Sequence, residues 1–175
     1  MATELESVFL NGTVGSGKTA TGDALHRLLT ADGIPNAVID LDALRRSWPA
    51  PSTDRFNHEL ELRNLHAVAG NNREIGVNRF ILSGVIECRA EVDRYRAALG
   101  GGTLTVIRLN APIETVRERL RSRHEPDSPD LHWHLDRSVE LNTILARARV
   151  DDQAVSSAER SPAEVAQAVR AVIGW

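Results

Sequence analysis

A chain of 175 residues is one domain's length, enough to bury a sizeable core, and 42% hydrophobic with 26% charged residues is the composition of a soluble globular protein. A formal net charge of -3 argues against general affinity for nucleic acid or an anionic membrane surface. The single Cys88 excludes an internal disulfide, no stretch approaches the roughly 18 apolar residues of a membrane span, and Met1-Ala2-Thr3-Glu4 lacks signal-peptide character, so a cytoplasmic location is expected.

Apolar runs of strand length alternate with amphipathic helix-length segments, the signature of βα units around a parallel sheet. The first strand is expected at residues 7–11. It leads into Gly12-Thr13-Val14-Gly15-Ser16-Gly17-Lys18-Thr19 and then an amphipathic helix ending near Gly33. A strand, a G-x-x-x-x-G-K-T loop and a helix, in that order, form the phosphate-binding P-loop context. Its glycines let the backbone wrap a phosphate, and the loop amides converge on anionic oxygens where the helix dipole also favours negative charge. Lys18 is expected to reach the β- and γ-phosphates, and the Thr19 hydroxyl to ligate Mg²⁺. Lys18 is also the only lysine in the chain; every other basic position is arginine.

Residues 36–40 read as the second strand, and Asp42-Ala43-Leu44-Arg45-Arg46 as the opening of a short helix. Pro49, Pro51 and Ser52 then make a loop. A long helix is expected over 58–75, a buried strand over 79–85, a helix over 91–99, a turn at Gly100-Gly101-Gly102 and a strand over 103–109. Pro112 suits the first position of a helix whose Ile113, Val116 and Leu120 face the sheet. Residues 124–129 break it, a helix over 135–148 and a strand over 150–155 follow, and Ser161-Pro162-Ala163-Glu164 opens the last helix with a capping-box pattern. Five strands with crossover helices predict a single three-layer α/β/α sandwich spanning 1–175, with its ligand at the carboxyl ends of the strands.

Two carboxylates, Asp40 and Asp42, end the second strand at the same sheet edge as the phosphate loop. One reading makes Asp42 the base that takes a proton from a hydroxyl attacking the γ-phosphoryl group, with Asp40 holding the metal or a metal-bound water. The competing reading makes Asp42 the N-cap of the next helix.

Ile39-Asp40-Leu41-Asp42-Ala43-Leu44-Arg45 resembles the D-G-D-N-x-R stretch of adenylylsulfate kinases. Arg63-Asn64-Leu65-His66-Ala67-Val68-Ala69 resembles their R-R-x-x-E-V-A helix, and the segments 81–89 and 108–116 resemble the two strands and turns that follow. Asp42-Ala43-Leu44 with Trp48-Pro49 is also similar to the chloramphenicol phosphotransferase family, which uses the corresponding Asp on a substrate hydroxyl. The resemblance spans most of residues 7–123. It implies a P-loop kinase with ATP and Mg²⁺, catalytic Asp42, and Arg45, Arg63 and Arg89 as candidates for the acceptor side.

Arg117 with Arg121, and Arg119 with Arg123, form two rows on their helix. The resemblance implies adenine contact for Arg119 or Arg123 and phosphate contact for Arg123 or Arg137. It also implies a short lid over about 122–136, whose segment 124–134 moves to exclude water. His132 and His134 would share one face of a strand, but with no further ligand they do not complete a zinc set. Trp133 on the lid and Trp48 beyond the Asp42 helix are candidate walls of the acceptor pocket.

The leading expectation is an ATP- and Mg²⁺-dependent kinase, monomeric or homodimeric, acting on a hydroxyl of a small molecule. The alternatives are an adenylylsulfate kinase proper, and a regulatory nucleotide-binding protein or ATPase without acceptor. Guanine recognition through N-K-x-D needs a second lysine that the chain lacks. A polynucleotide 5′-hydroxyl kinase needs a basic strand-tracking groove, which the net charge disfavours.

Overall fold

The computed structural model describes residues 4–175; the extreme amino terminus, residues 1–3, lies outside the described residues. Strand β1 (Glu6–Asn11) is buried at all but its first residue and takes the centre of the sheet. It pairs in parallel with β3 (Arg79–Ser83) on one side and with β4 (Thr103–Asn110) on the other. The edges are β2 (Asn36–Asp40), beside β3, and β5 (Gln153–Ser156), beside β4, giving the order β2-β3-β1-β4-β5. A strand buried on both faces reads as a near-continuous apolar run, as Val8-Phe9-Leu10 does.

Alternation along the strands divides the core into two layers. Phe9, Phe80, Leu82 and Val106 point to the face covered by α3 (His58–Glu74) and α4 (Arg89–Leu99), where they meet Leu62, Leu65, Tyr95 and Leu99. Val8, Leu10, Ile81, Ile107 and Leu109 point to the opposite face, under Leu25 and Leu29 of α1 (Lys18–Ala31) and Val165 and Val169 of α7 (Pro162–Ile173). The expected three-layer sandwich with a five-stranded parallel sheet is therefore the observed fold, and the capping box at Ser161 and Glu164 forms as the sequence indicates.

A third cluster lies over the carboxyl ends of the strands. Val116 and Leu120 of α5 (Ile113–Arg123) pack on Leu131 and Leu135 of α6 (Pro129–Ala148), with Val14 of the P-loop against them. The expected lid is mostly helical: residues 129–136 are the first turns of α6 rather than a loop. Ser128 caps that helix by accepting from the Leu131 N–H, and Pro129 sits at its start. Pro129 thus marks a helix beginning, where the missing N–H costs nothing, while Pro126 lies in the expected break after α5. His132 and His134 consequently lie on a helix, two residues apart and on different sides, not on one face of a strand.

Candidate active site

The P-loop bridges β1 and α1. Asn11, fully buried, fixes its start: the side-chain oxygen accepts from the N–H groups of Gly12 at 3.0 Å and Ile86 at 3.1 Å, and its amide donates to the Ile86 carbonyl and to Asp151. A Cβ on Gly12 would lie 2.7 Å from the Ser16 hydroxyl oxygen and 2.9 Å from the Leu109 carbonyl, so the turn leaves room for no side chain there. Gly17 caps α1 in the left-handed conformation with no side chain to satisfy the helix N–H groups, and the first turn carries no acidic residue. Ser16 keeps a buried hydroxyl with no partner among the described residues. Exposed main-chain donors at a helix N-terminus, free of acidic competitors, fit a phosphate chain.

Lys18 donates to the carbonyls of Gly12 and Thr13, both at 2.8 Å, so its ammonium lies over the loop. Burial among these groups pushes Lys18 down to about 8, against the opposing pull of Asp42 and Asp40. Thr19 extends its hydroxyl toward Asp40, 3.5 Å from the carboxylate. That pair would be able to supply two oxygens to a Mg²⁺ ion. Among the described residues no group of three or more His, Cys, Asp or Glu side chains forms a self-contained metal site.

Asp40, not Asp42, caps α2 (Leu41–Leu44): its carboxylate accepts from the Asp42 N–H at 3.0 Å. Asp42 is thereby released from the capping role and turns its side chain, 60% exposed, into the cleft, where Arg45 donates to it. The cleft holds about 330 Å³ and is lined by the P-loop, Asp42, Arg45, Phe56, Val85, Glu87, Arg123, Trp133, His134, Arg137 and Leu141. Arg123, Arg137 and Trp133 line the cleft with Asp42 and Arg45, whereas Trp48 stands on an adjoining shallow shelf with Arg46, Arg55 and Phe56.

Arg63 and Arg89 do not line the cleft. Arg63 is on the exposed side of α3, away from the Glu61, Leu62, Leu65 and Ala69 face that packs on the sheet. Arg89 opens α4 and donates to the Val150 carbonyl at 2.7 Å, with Asp152 at 3.4 Å, tying α4 to the segment before β5. Helix α4 begins two residues earlier than expected, and that turn aims Arg89 at this segment.

On the other side of the loop, Arg119 donates to the Ser157 carbonyl at 2.6 Å and lies 3.4 Å from the Gly15 and Ser16 carbonyls. With Arg123, Ser157, Arg160, Pro162 and Val165 it lines a second hollow of about 180 Å³.

Several residues that matter here escaped sequence reading. Glu61 is 1% exposed; it accepts from the Tyr95 hydroxyl at 2.5 Å and faces Arg45 Nε at 3.4 Å and His58 at 3.8 Å. Burial raises its carboxyl above the ordinary range, and burial together with Glu61 raises Tyr95 strongly. Its signal was its spacing: a glutamate four residues before Leu65 and eight before Ala69 occupies a core position of the helix. Ser157, whose hydroxyl donates to the Ser16 carbonyl at 2.8 Å, had no such signal.

A glycine-rich loop at the central strand, a lysine over it and acidic residues at the carboxyl end of the edge strand β2 define a P-loop nucleotide-binding protein of the kinase fold. A family model described as an AAA domain matches residues 8–140, and the chain belongs to that family. Over 97% of its length it superimposes on the tunicamycin resistance protein of Deinococcus radiodurans, covering 96% of that chain with 26% identity and a TM-score of 0.66. A gluconokinase from Sinorhizobium meliloti 1021 shares the fold at 22% identity and a TM-score of 0.63, with 97% and 91% of the two chains covered. The APS kinase CysC of Mycobacterium tuberculosis, solved with AMPPNP and APS, does so at 18% identity and 0.58, with 98% and 99% covered. No described helix is long and apolar enough to cross a membrane.

Proposed function

We propose that the chain is an ATP- and Mg²⁺-dependent phosphotransferase that moves the γ-phosphoryl group to a hydroxyl of a small molecule. The observation that carries this reading is the presence, in one cleft, of the Lys18 phosphate loop and of an Asp42 carboxylate that no helix cap employs. The kinase names of solved neighbours with the same fold add to it.

In the reaction the acceptor oxygen forms a bond to the γ-phosphorus, and the bond to the β–γ bridging oxygen breaks with its electron pair leaving on ADP. The acceptor's proton passes to Asp42, which Arg45 holds in place. Lys18 and the loop amides hold the phosphate chain, while Thr19 and Asp40 would hold Mg²⁺, which when bound offsets charge on the phosphoryl oxygens. Of the two arginines considered for the phosphates, Arg123 is favoured, because it has no carboxylate partner among the described residues, whereas Arg137 is bonded to Glu87 and Glu140. The hollow beside Arg119, Ser157 and Pro162 suits the adenine ring.

The test is ATP consumption with a panel of hydroxylated acceptors and a control without acceptor. Asp42→Asn is expected to hold ATP within about threefold of the parent while turnover falls by roughly 10² or more, the scale of a lost general base. Undiminished turnover would remove Asp42 from the mechanism. ATP hydrolysis indifferent to every acceptor would replace transfer by plain ATPase action.

A further inference from the structure

The sheet order divides the cleft. The P-loop follows the central β1, the Arg119 hollow lies toward β4 and β5, and Asp42, Phe56, Val85 and Glu87 lie toward β2 and β3. Resting on the phosphotransferase reading, this makes the β2 and β3 end the place of the acceptor.

Each cleft-lining guanidinium at that end is already matched to carboxylates. Arg45 bridges Asp42 and the fully buried Glu61, and Glu61 is fixed in turn by the Tyr95 hydroxyl at 2.5 Å. Arg137, 19% exposed, is clasped by Glu87 at 2.5 Å and Glu140 at 2.7 Å. Four carboxylates thus surround two guanidiniums. The cations of the cleft with no carboxylate partner among the described residues, Lys18 and Arg123, sit with the phosphate loop, and Arg123 also lines the Arg119 hollow. Arg46 and Arg55 are outside, on the shelf with Trp48. The remaining walls are apolar or aromatic: Val85, Leu141, Phe56 and Trp133, with the Trp133 ring edge-on to His134 at 4.9 Å.

We infer that the acceptor is an alcohol with no anionic group near its reacting hydroxyl, presenting a flat apolar ring face to Trp133 and Phe56. Among the described residues an anion at this end would find no ammonium or guanidinium free of a carboxylate partner and would lie against Asp42 and Glu87, so the site selects by repulsion as well as by contact. The pairing that causes this is set by the fold, because Glu61 is locked in the core and Glu87 and Glu140 approach Arg137 from different elements.

The test uses three matched pairs in which a carboxylate replaces the primary alcohol beside a retained secondary hydroxyl: phenylethanediol and mandelate, methyl glucoside and methyl glucuronide, uridine and its 5′-carboxylate. Binding is read by calorimetry and ligand-observed NMR on the whole chain, saturated with Mg²⁺ and a non-hydrolysable ATP analogue. The neutral member of each pair that binds is expected to bind at least tenfold tighter than its anionic partner. Trp133→Ala should weaken the neutral members tenfold or more. Glu87→Gln, which frees one edge of Arg137, should shift the neutral-to-anion preference toward the anion by a similar factor. Anionic members binding as well or better, an unchanged preference in Glu87→Gln, or no binding by any pair each overturns the inference. Neutral members that bind with the expected preference yet never stimulate ATP consumption would retire phosphoryl transfer while leaving the selectivity standing.

Discussion

The Lys18 ammonium, ordinarily near 10.5, is held at about 8 by burial in a loop whose counter-charge is incomplete. A triphosphate supplies that charge and restores the protonated form. ATP binding measured near pH 8.5 should therefore take up a fraction of a proton, and its heat should vary with the ionisation enthalpy of the buffer. At pH 6.5, where Lys18 is charged with or without nucleotide, this contribution should vanish. The sign for stability is the same physics: between about 8 and 10.5 the unfolded chain binds more protons at this group, so its contribution to stability grows as pH rises through that window. Buffer-independent heats at both pH values would show that the loop does not hold the ammonium as described.

Helix α1 packs closely on β2 and β3. Gly22, inside that helix, is the point of contact: a Cβ there would lie 3.0 Å from the Ser83 hydroxyl oxygen and 3.3 Å from Val38. Ser83 itself donates to the Lys18 carbonyl at 3.3 Å, so a displacement at Gly22 reaches the start of the helix that carries the loop. Gly70, inside α3, has nothing within 4 Å of the same added atom. Urea unfolding should separate the two positions. Gly22→Val is expected to destabilise by about 1–3 kcal/mol through overpacking, whereas Gly70→Ala should stabilise by roughly 0.5–1 kcal/mol through helix propensity alone. Equal responses would mean that α1 does not ride as close to the sheet as these contacts require.

For the whole molecule, the two core layers meet through the central strand. Phe9 is fully buried and contacts the Tyr95 ring edge-on at 5.0 Å, joining β1 to α4 and, through the Tyr95 hydroxyl, to Glu61. Phe9→Ala is expected to cost about 3–5 kcal/mol, visible as a lower urea midpoint with an unchanged slope. Saturating nucleotide should recover part of it, about 2.7 kcal/mol at 100 times the dissociation constant. A loss below 1 kcal/mol would mean that Phe9 does not anchor β1 against α4 as these contacts require.

The strands, the crossover helices and the phosphate loop were legible in the sequence because each rests on local rules. Val8-Phe9-Leu10, the glycine spacing before Lys18 and the Ser161-Pro162-Ala163-Glu164 start all act within a few residues of themselves. Even so, two short-range signals lent themselves to the wrong element: Ser128-Pro129 as a break rather than a helix start, and His132 with His134 as a strand pair. What the sequence could not determine was the division of labour among like residues. Arg45 and Arg137 enter the cleft and are neutralised there, Arg63 stays outside, and Arg89 turns toward Val150; Asp40 takes the cap and frees Asp42. Guanidiniums are chemically identical along the chain, and only tertiary structure decides which carboxylate, 16 residues away for Arg45 with Glu61 or 50 for Arg137 with Glu87, comes within a hydrogen bond's reach.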